Sequence, residues 1–199
     1  MRFRTAWVVD YVYTAGAGSD PGDTYYVRSA DNGSTWSTPL KLNTDATTPT
    51  QWMPSMAVTV NGKLMASWYD RRNTSNYDYQ RYARVSLDNG LTWQADQPIS
   101  DQVIPQPVQP DPNVVACYAG DYASASGQTI YSAWTDGRVQ ISGAFTQDVY
   151  LDKVNFGKAS IPVCTAVGAY GWSAVAALPT AVYGPSVTSD ANFVYAAGG

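Results

Sequence analysis

An eight-residue stretch occurs twice in this chain, and it limits the possible folds more than any other feature. Ser29-Ala30-Asp31-Asn32-Gly33-Ser34-Thr35-Trp36 returns, with two substitutions, as Ser86-Leu87-Asp88-Asn89-Gly90-Leu91-Thr92-Trp93. The shared pattern, S-x-D-N-G-x-T-W, describes a tight turn between two strands. Its Asp can accept hydrogen bonds from the backbone N–H groups that follow, Asn-Gly tolerates positive φ, and the Trp folds back over apolar neighbours. Asp31 and Asp88 lie 57 residues apart, so a repeat protein is the first expectation.

The segments around the two turns repeat as well. Residues 3–9 and 24–29 read as strands that feed the first turn, separated by a small, polar loop over 16–23. Ser37-Thr38-Pro39-Leu40-Lys41-Leu42 then reads as a short edge strand, where Pro is tolerated. A second unit opens with strands over 54–60 and 63–71 about an Asn61-Gly62 turn. A strand over 77–86, the second copy of the turn motif and a closing strand over 94–100 complete it. The Pro-rich connection over 101–112 reads as a surface loop.

The third unit repeats the hairpin over 121–126 and 129–136 and adds a strand over 147–154. Its turn motif is reduced to Asn155-Phe156-Gly157, but Ser160-Ile161-Pro162-Val163 still matches Ser37-Thr38-Pro39-Leu40. Segments 184–188 and 193–197 begin a fourth unit. Trp7, Trp68 and Trp134 take equivalent places, 61 and 66 residues apart, and periods of that size with four short strands each indicate propeller blades. An immunoglobulin-like sandwich would leave a turn motif in register with a repeated Trp unexplained.

A second motif, W-x-D-x-R, joins Trp68-Tyr69-Asp70-Arg71-Arg72 to Trp134-Thr135-Asp136-Gly137-Arg138. With the two boxes, Gly120-Asp121-Tyr122 and Gln147-Asp148-Val149-Tyr150, it makes residues 5–154 resemble the bacterial sialidase-like proteins built from Asp-box, or BNR, repeats. That resemblance implies an all-β fold, a partial six-bladed β-propeller with about three blades present. The expected division is blade 1 over 1–42, blade 2 over 53–100, blade 3 over 121–165 and the start of a fourth blade over 185–199, all in one domain. It also implies that the box links the third and fourth strands of a blade, away from any active site. Ser29, Asp31, Gly33, Thr35, Trp36, Ser86, Asp88, Gly90, Thr92 and Trp93 are then structural.

Composition narrows the chemistry. Of the 199 residues 45% are hydrophobic and 13% aromatic, which suits a folded β-domain. The net charge of -4 and the scattered Lys and Arg give no footprint for nucleic acid or an anionic membrane, so neither is an expected partner. All 16 acidic residues are Asp and no His occurs, which excludes a Ser-His-Asp triad and a His-based metal site. No metal or cofactor is expected. Cys117 and Cys164 leave a disulfide and two buried thiols equally open. No stretch has signal-peptide architecture, although the resemblance implies a secreted or cell-surface full-length protein.

Two readings of the W-x-D-x-R residues stand side by side. In one, Asp70 and Asp136 line a central cavity while Arg72 and Arg138 clamp a carboxylate or hydroxyls. In the other, each Asp pairs with its own Arg and each Trp packs between blades. Positions that differ between units are more specific: Arg71 answers to Gly137, Asp121 to Met53 and Trp52 to Gly120. Propeller topology would bring Trp52, Arg71, Asp121 and Tyr122 to one open face, where ring faces and charges suit a sugar, while a capped strand start with surface aromatics is the equal alternative. Asp121 and Asp70 are the acids for any glycosidase chemistry, and Arg71, Trp52, Tyr122, Arg72, Asp136 and Arg138 the substrate-binding set.

The same resemblance also shows departures. Sialidases use a Tyr nucleophile with a carboxylate helper and an Arg cluster for the sialic acid carboxylate. The family's F/Y-R-I-P motif is absent, since Phe3-Arg4-Thr5-Ala6 does not match it, and no Glu exists to activate a Tyr. The expected function is therefore carbohydrate recognition, with exo-glycosidase hydrolysis, a protein-interaction scaffold and a fragment of a larger protein as alternatives. About three blades are too few to close a ring, so a homodimer completing the propeller is a further expectation.

Overall fold

A computed structural model describes residues 8–59, 61–108, 112–113, 115, 124–126, 129–154, 186–189 and 194–197. The described residues form antiparallel strands and turns, with no helix among them. The first sheet has the order β1 (Val9–Ala17), β2 (Asp20–Ser29), β3 (Leu40–Lys41). The second has four strands, β4 (Gln51–Val58), β5 (Leu64–Asp70), β6 (Gln80–Ser86) and β7 (Gln97–Pro98), each paired with the next. The third pairs β8 (Ser124–Ser126), β9 (Ile130–Asp136) and β12 (Asp148–Val154), and a small hairpin of β10 (Gln140–Ile141) and β11 (Ala144–Phe145) projects between the last two. β13 (Ser186–Ser189) pairs with β14 (Val194–Ala197). No sheet closes on itself.

The sheets stack in sequence order. β4 lies against β1 and β2, β8 against β4 and β5, and β13 against β8 and β9. β5 shows why. Its residues are all buried, and the two-residue period of a strand sends them to two cores. Leu64, Ala66 and Trp68 face the first sheet and meet Tyr26, Leu42 and Tyr82. Met65 and Tyr69 face the third and join Tyr79, Val85, Ile99, Ile104, Ile130 and Trp134. Burial of each large apolar side chain contributes about 1.5–3 kcal/mol, so the stack is held by both faces of its middle sheet.

The boxes sit between β2 and β3 and between β6 and β7. In the first, Thr35 donates to Asp31 from its N–H (2.8 Å) and its Oγ1 (2.7 Å), and Ser29 Oγ donates to Asp31 Oδ1 at 2.7 Å. The second repeats this with Thr92, Asp88 and Ser86. Asn32, Gly33, Asn89 and Gly90 have φ of 62°, 84°, 60° and 79°, as an Asn-Gly turn demands. The second box also docks on the first sheet. Arg28 Nε donates to the Asn89 carbonyl at 3.0 Å, Trp93 meets Tyr26 edge-on at 4.9 Å, and a Cβ on Gly90 would lie 1.8 Å from Tyr26 Oη. The corresponding Trp36 is 47% exposed.

Several expectations are corrected. The strand that pairs with β2 is β1, at Val9–Ala17, most of the strand expected over 3–9 lies outside the described residues, and the supposed loop over 16–23 is the tip of a long hairpin. The register fixes the shift: Tyr13 pairs with Tyr25 as Trp68 pairs with Tyr82, so Tyr13 holds the place expected for Trp7, which lies outside the described residues. The first sheet accordingly carries Tyr13-Thr14-Ala15-Gly16-Ala17 where the others carry W-x-D-x-R. Ala15 still pairs with Asp23, so small residues there do not end the strand. β4 starts at Gln51, ahead of the expected 54, because a bulge between Trp52 and Ser55 takes up Met53 and Pro54. Part of the 101–112 connection is interior: Ile104 is fully buried and bridges to Tyr79 in both directions. The reduced third box and both cysteines lie outside the described residues.

Candidate functional site

The two W-x-D-x-R motifs form closed ion pairs. Asp70 is 1% exposed and accepts from Trp68 Nε1 (3.0 Å) and from Arg72 through N (2.8 Å), Nε (3.0 Å) and Nη2 (2.7 Å). Arg72 also reaches Asp96 at 2.7 Å and Asp45 at 3.4 Å, and lies 4.2 Å over the Tyr82 ring. Burial alone would lower the Arg72 pKa, but its hydrogen bonds and the fields of Asp70 and Asp96 raise it above the ordinary value. Asp136 repeats the scheme with Trp134 Nε1 (3.2 Å) and Arg138 (2.7 Å), and Arg138 adds Asp101 at 2.6 Å and the Tyr150 ring at 4.3 Å. In both sheets the Arg reaches back to a carboxylate on the connector arriving from the sheet before.

That geometry favours the pairing reading of these four groups over the ligand-binding one. Asp70 and Asp136 have no exposed oxygen with which to meet a substrate, and Arg72 and Arg138 spend their planar forks on them. Their work is to clasp strand end, connector and neighbouring ring together. Asp121 and Tyr122 lie outside the described residues.

Trp52 and Arg71 do come together. The Arg71 guanidinium lies 4.8 Å from the centroid of the Trp52 ring and 5.3 Å from that of Tyr77, and its Nη2 is 3.4 Å from Gln106 Oε1. Trp52 in turn stacks on Tyr69 at 5.2 Å and 30° and meets Tyr79 edge-on at 5.7 Å. Tyr77 is 66% exposed, so the outer end of this column faces solvent. Sheet ends position every member: Trp52 opens β4, Arg71 follows β5, and Tyr77 lies in the connection to β6. Tyr69 Oη accepts from Thr135 N at 2.8 Å while Tyr79 Oη donates to Thr135 O at 3.1 Å, so the third sheet anchors both phenols from behind. Burial raises the pKa of each, which keeps them neutral.

Gly137, the counterpart of Arg71, has its own reason. A Cβ there would lie 2.1 Å from the Pro105 carbonyl, so only glycine lets the connector cross that strand end. The same connector carries Gln106 to Arg71. Tyr69, Tyr79, Tyr77, Gln106 and Arg81 were missed from the sequence. Comparing units would have found two of them, since Tyr69 answers to Thr14 and Thr135, and Arg81 to Thr24 and Val149, by register.

Arg81 lies beneath the column and is fully buried. It donates to Met53 O (3.2 Å), Ser55 Oγ (3.1 Å) and Ser67 Oγ (2.9 Å), and sits 4.7 Å from the Tyr69 ring centroid. Burial pulls its pKa down to about 10, still high enough to keep it charged at neutral pH. Arg81, Tyr69, Trp52, Arg71 and Tyr77 thus form one column of cations and rings, from the core between two sheets to the surface.

Two hollows among the described residues lie elsewhere. Cavities of about 500 and 700 Å³ flank Trp36 on the first sheet, and Trp36 lines both. Among the described residues no group of three or more His, Cys, Asp or Glu side chains is arranged to hold a metal.

No protein-family model matches the chain, and no curated protein matches it. Among solved structures it is similar to the K499G mutant of NanB sialidase from Streptococcus pneumoniae, with 17% identity and a TM-score of 0.49. The match covers 92% of this chain and spans 24% of that one.

Proposed function

We propose that the chain is part of a sialidase-like six-bladed propeller and that the face carrying Trp52 and Arg71 recognises carbohydrate. Support for the propeller comes from the Asp boxes joining the last two strands of their sheets, from the four-stranded second sheet, and from first strands lying on the sheet before. The first, second and third sheets would be blades, and β13 with β14 the start of a fourth. One observation carries the binding site: a guanidinium held between two aromatic rings, one of them open to solvent. Rings offer faces for sugar C–H groups, and a planar guanidinium suits hydroxyls or a carboxylate. Recognition fits better than hydrolysis, because Asp70, the one candidate acid among the described residues, is enclosed in an ion pair.

Calorimetry with α2,3-sialyllactose as the acidic probe and lactose as the neutral one tests this. Binding of the first, weakened about tenfold by Arg71→Ala and little changed by Arg138→Ala, is the expected result. No heat from either sugar at millimolar concentration overturns the reading. Release of fluorophore from a 4-methylumbelliferyl sialoside would replace recognition with hydrolysis.

A further inference from the structure

The Trp52–Arg71 platform depends on a group that no ligand could touch. Arg81 is a charge enclosed in the core, with no carboxylate within 4.0 Å among the described residues and no partner for its Nε. Such burial is costly, and the equivalent positions in the other sheets hold Thr24 and Val149, which fill space without a charge. An arginine here needs a task that a neutral side chain cannot perform.

Its hydrogen bonds point to one. Met53 has φ of 47°, in the left-handed region that a residue with a Cβ occupies at a cost. Such a conformation persists only where its surroundings hold it, and Arg81 Nη1 takes the Met53 carbonyl. Met53 lies in the bulge of β4, and a bulge re-aims the side chain beside it, here Trp52. The second Arg81 amino group holds Ser55 on the far side of that bulge and Ser67 on β5 opposite. The plane of Tyr69, on which Trp52 stacks, rests against the same guanidinium. One buried fork therefore grips the bulge at both ends and supports the ring beneath its product.

We propose that Arg81 is a positioning residue for the carbohydrate platform: by fixing the left-handed Met53 bulge and the Tyr69 ring it sets Trp52 under Arg71. This rests on the reading of Trp52 and Arg71 as a sugar site, but its primary test does not. The side-chain Nε–H of Arg71, lying over two rings, has a ring-current-shifted signal in a proton–nitrogen correlation spectrum, and Trp52→Leu supplies the reference without the Trp52 contribution. In Arg81→Met, at a temperature where backbone amides keep folded dispersion, that signal should move to the Trp52→Leu position, and α2,3-sialyllactose affinity should fall about tenfold. Met53→Gly in the Arg81→Met background should restore part of the shift, because glycine adopts the left-handed conformation unaided. An unchanged Arg71 signal in folded Arg81→Met overturns the inference. If that variant does not fold, Arg81→Lys, which keeps the charge and loses the fork, is read the same way, and an unshifted signal there is equally fatal. Wild-type protein that binds no sugar, with an Arg71 signal that still responds to Arg81, would sink the sugar reading and leave the positioning role standing.

Discussion

At the scale of single residues the box shows how a short motif becomes a defined turn. Asp31 receives three hydrogen bonds from Thr35 and Ser29, and these, the Thr35 hydroxyl first, hold its carboxyl down at about 2. Asp88 is lowered for the same reason. A folded pKa below the unfolded value of about 3.9 means that the contribution is complete above that value and is lost as pH falls toward 2. Carboxyl-carbon NMR titration should place Asp31 near 2 and move it upward in Thr35→Val, with the acid end of the thermal stability curve becoming shallower. A titration of Asp31 at an ordinary aspartate value in wild type would show that the turn is not closed by its carboxylate. These residues were legible in the sequence because the motif is local: donor, acceptor and positive-φ positions all lie within eight residues.

At the scale of elements, local reading failed wherever a partner strand decided the outcome. The small, polar tip at 16–23 lacks β-branched and large residues, yet β2 pairs with β1 up to Asp20 because the other end of the hairpin is anchored in the core. The W-x-D-x-R motif was visible, but its two readings differ only in where the Arg points. Across space it points back to Asp45 and Asp96, or to Asp101, which no spacing rule reveals. A clasp of that kind predicts a large asymmetric loss. Arg72→Ala leaves Asp70 enclosed without its counter-charge and should cost about 3–5 kcal/mol in denaturant unfolding. Arg72→Met combined with Asp70→Asn should recover part of that, since no charge is then stranded. A loss under about 1 kcal/mol for Arg72→Ala would mean that water reaches the pair and that the clasp is a surface salt bridge.

On the scale of the whole molecule, the register relates the faces of the sheets to one another. On the second sheet Leu64, Ala66, Trp68, Tyr82 and Trp93 are packed on the first sheet. Val9, Tyr11, Tyr13, Tyr25 and Trp36 hold the same places on the first sheet, where Tyr11 is 56% exposed. One motif thus stands in two environments, and this allows a controlled comparison. Trp93→Ser removes the edge-on contact with Tyr26 and should destabilise by about 2 kcal/mol, whereas Trp36→Ser, with identical local sequence, should cost well under about 1 kcal/mol. Both are measured by denaturant unfolding over a range of protein concentrations. Equal losses, with the Trp36 effect growing with concentration, would mean that another sheet covers this face in solution.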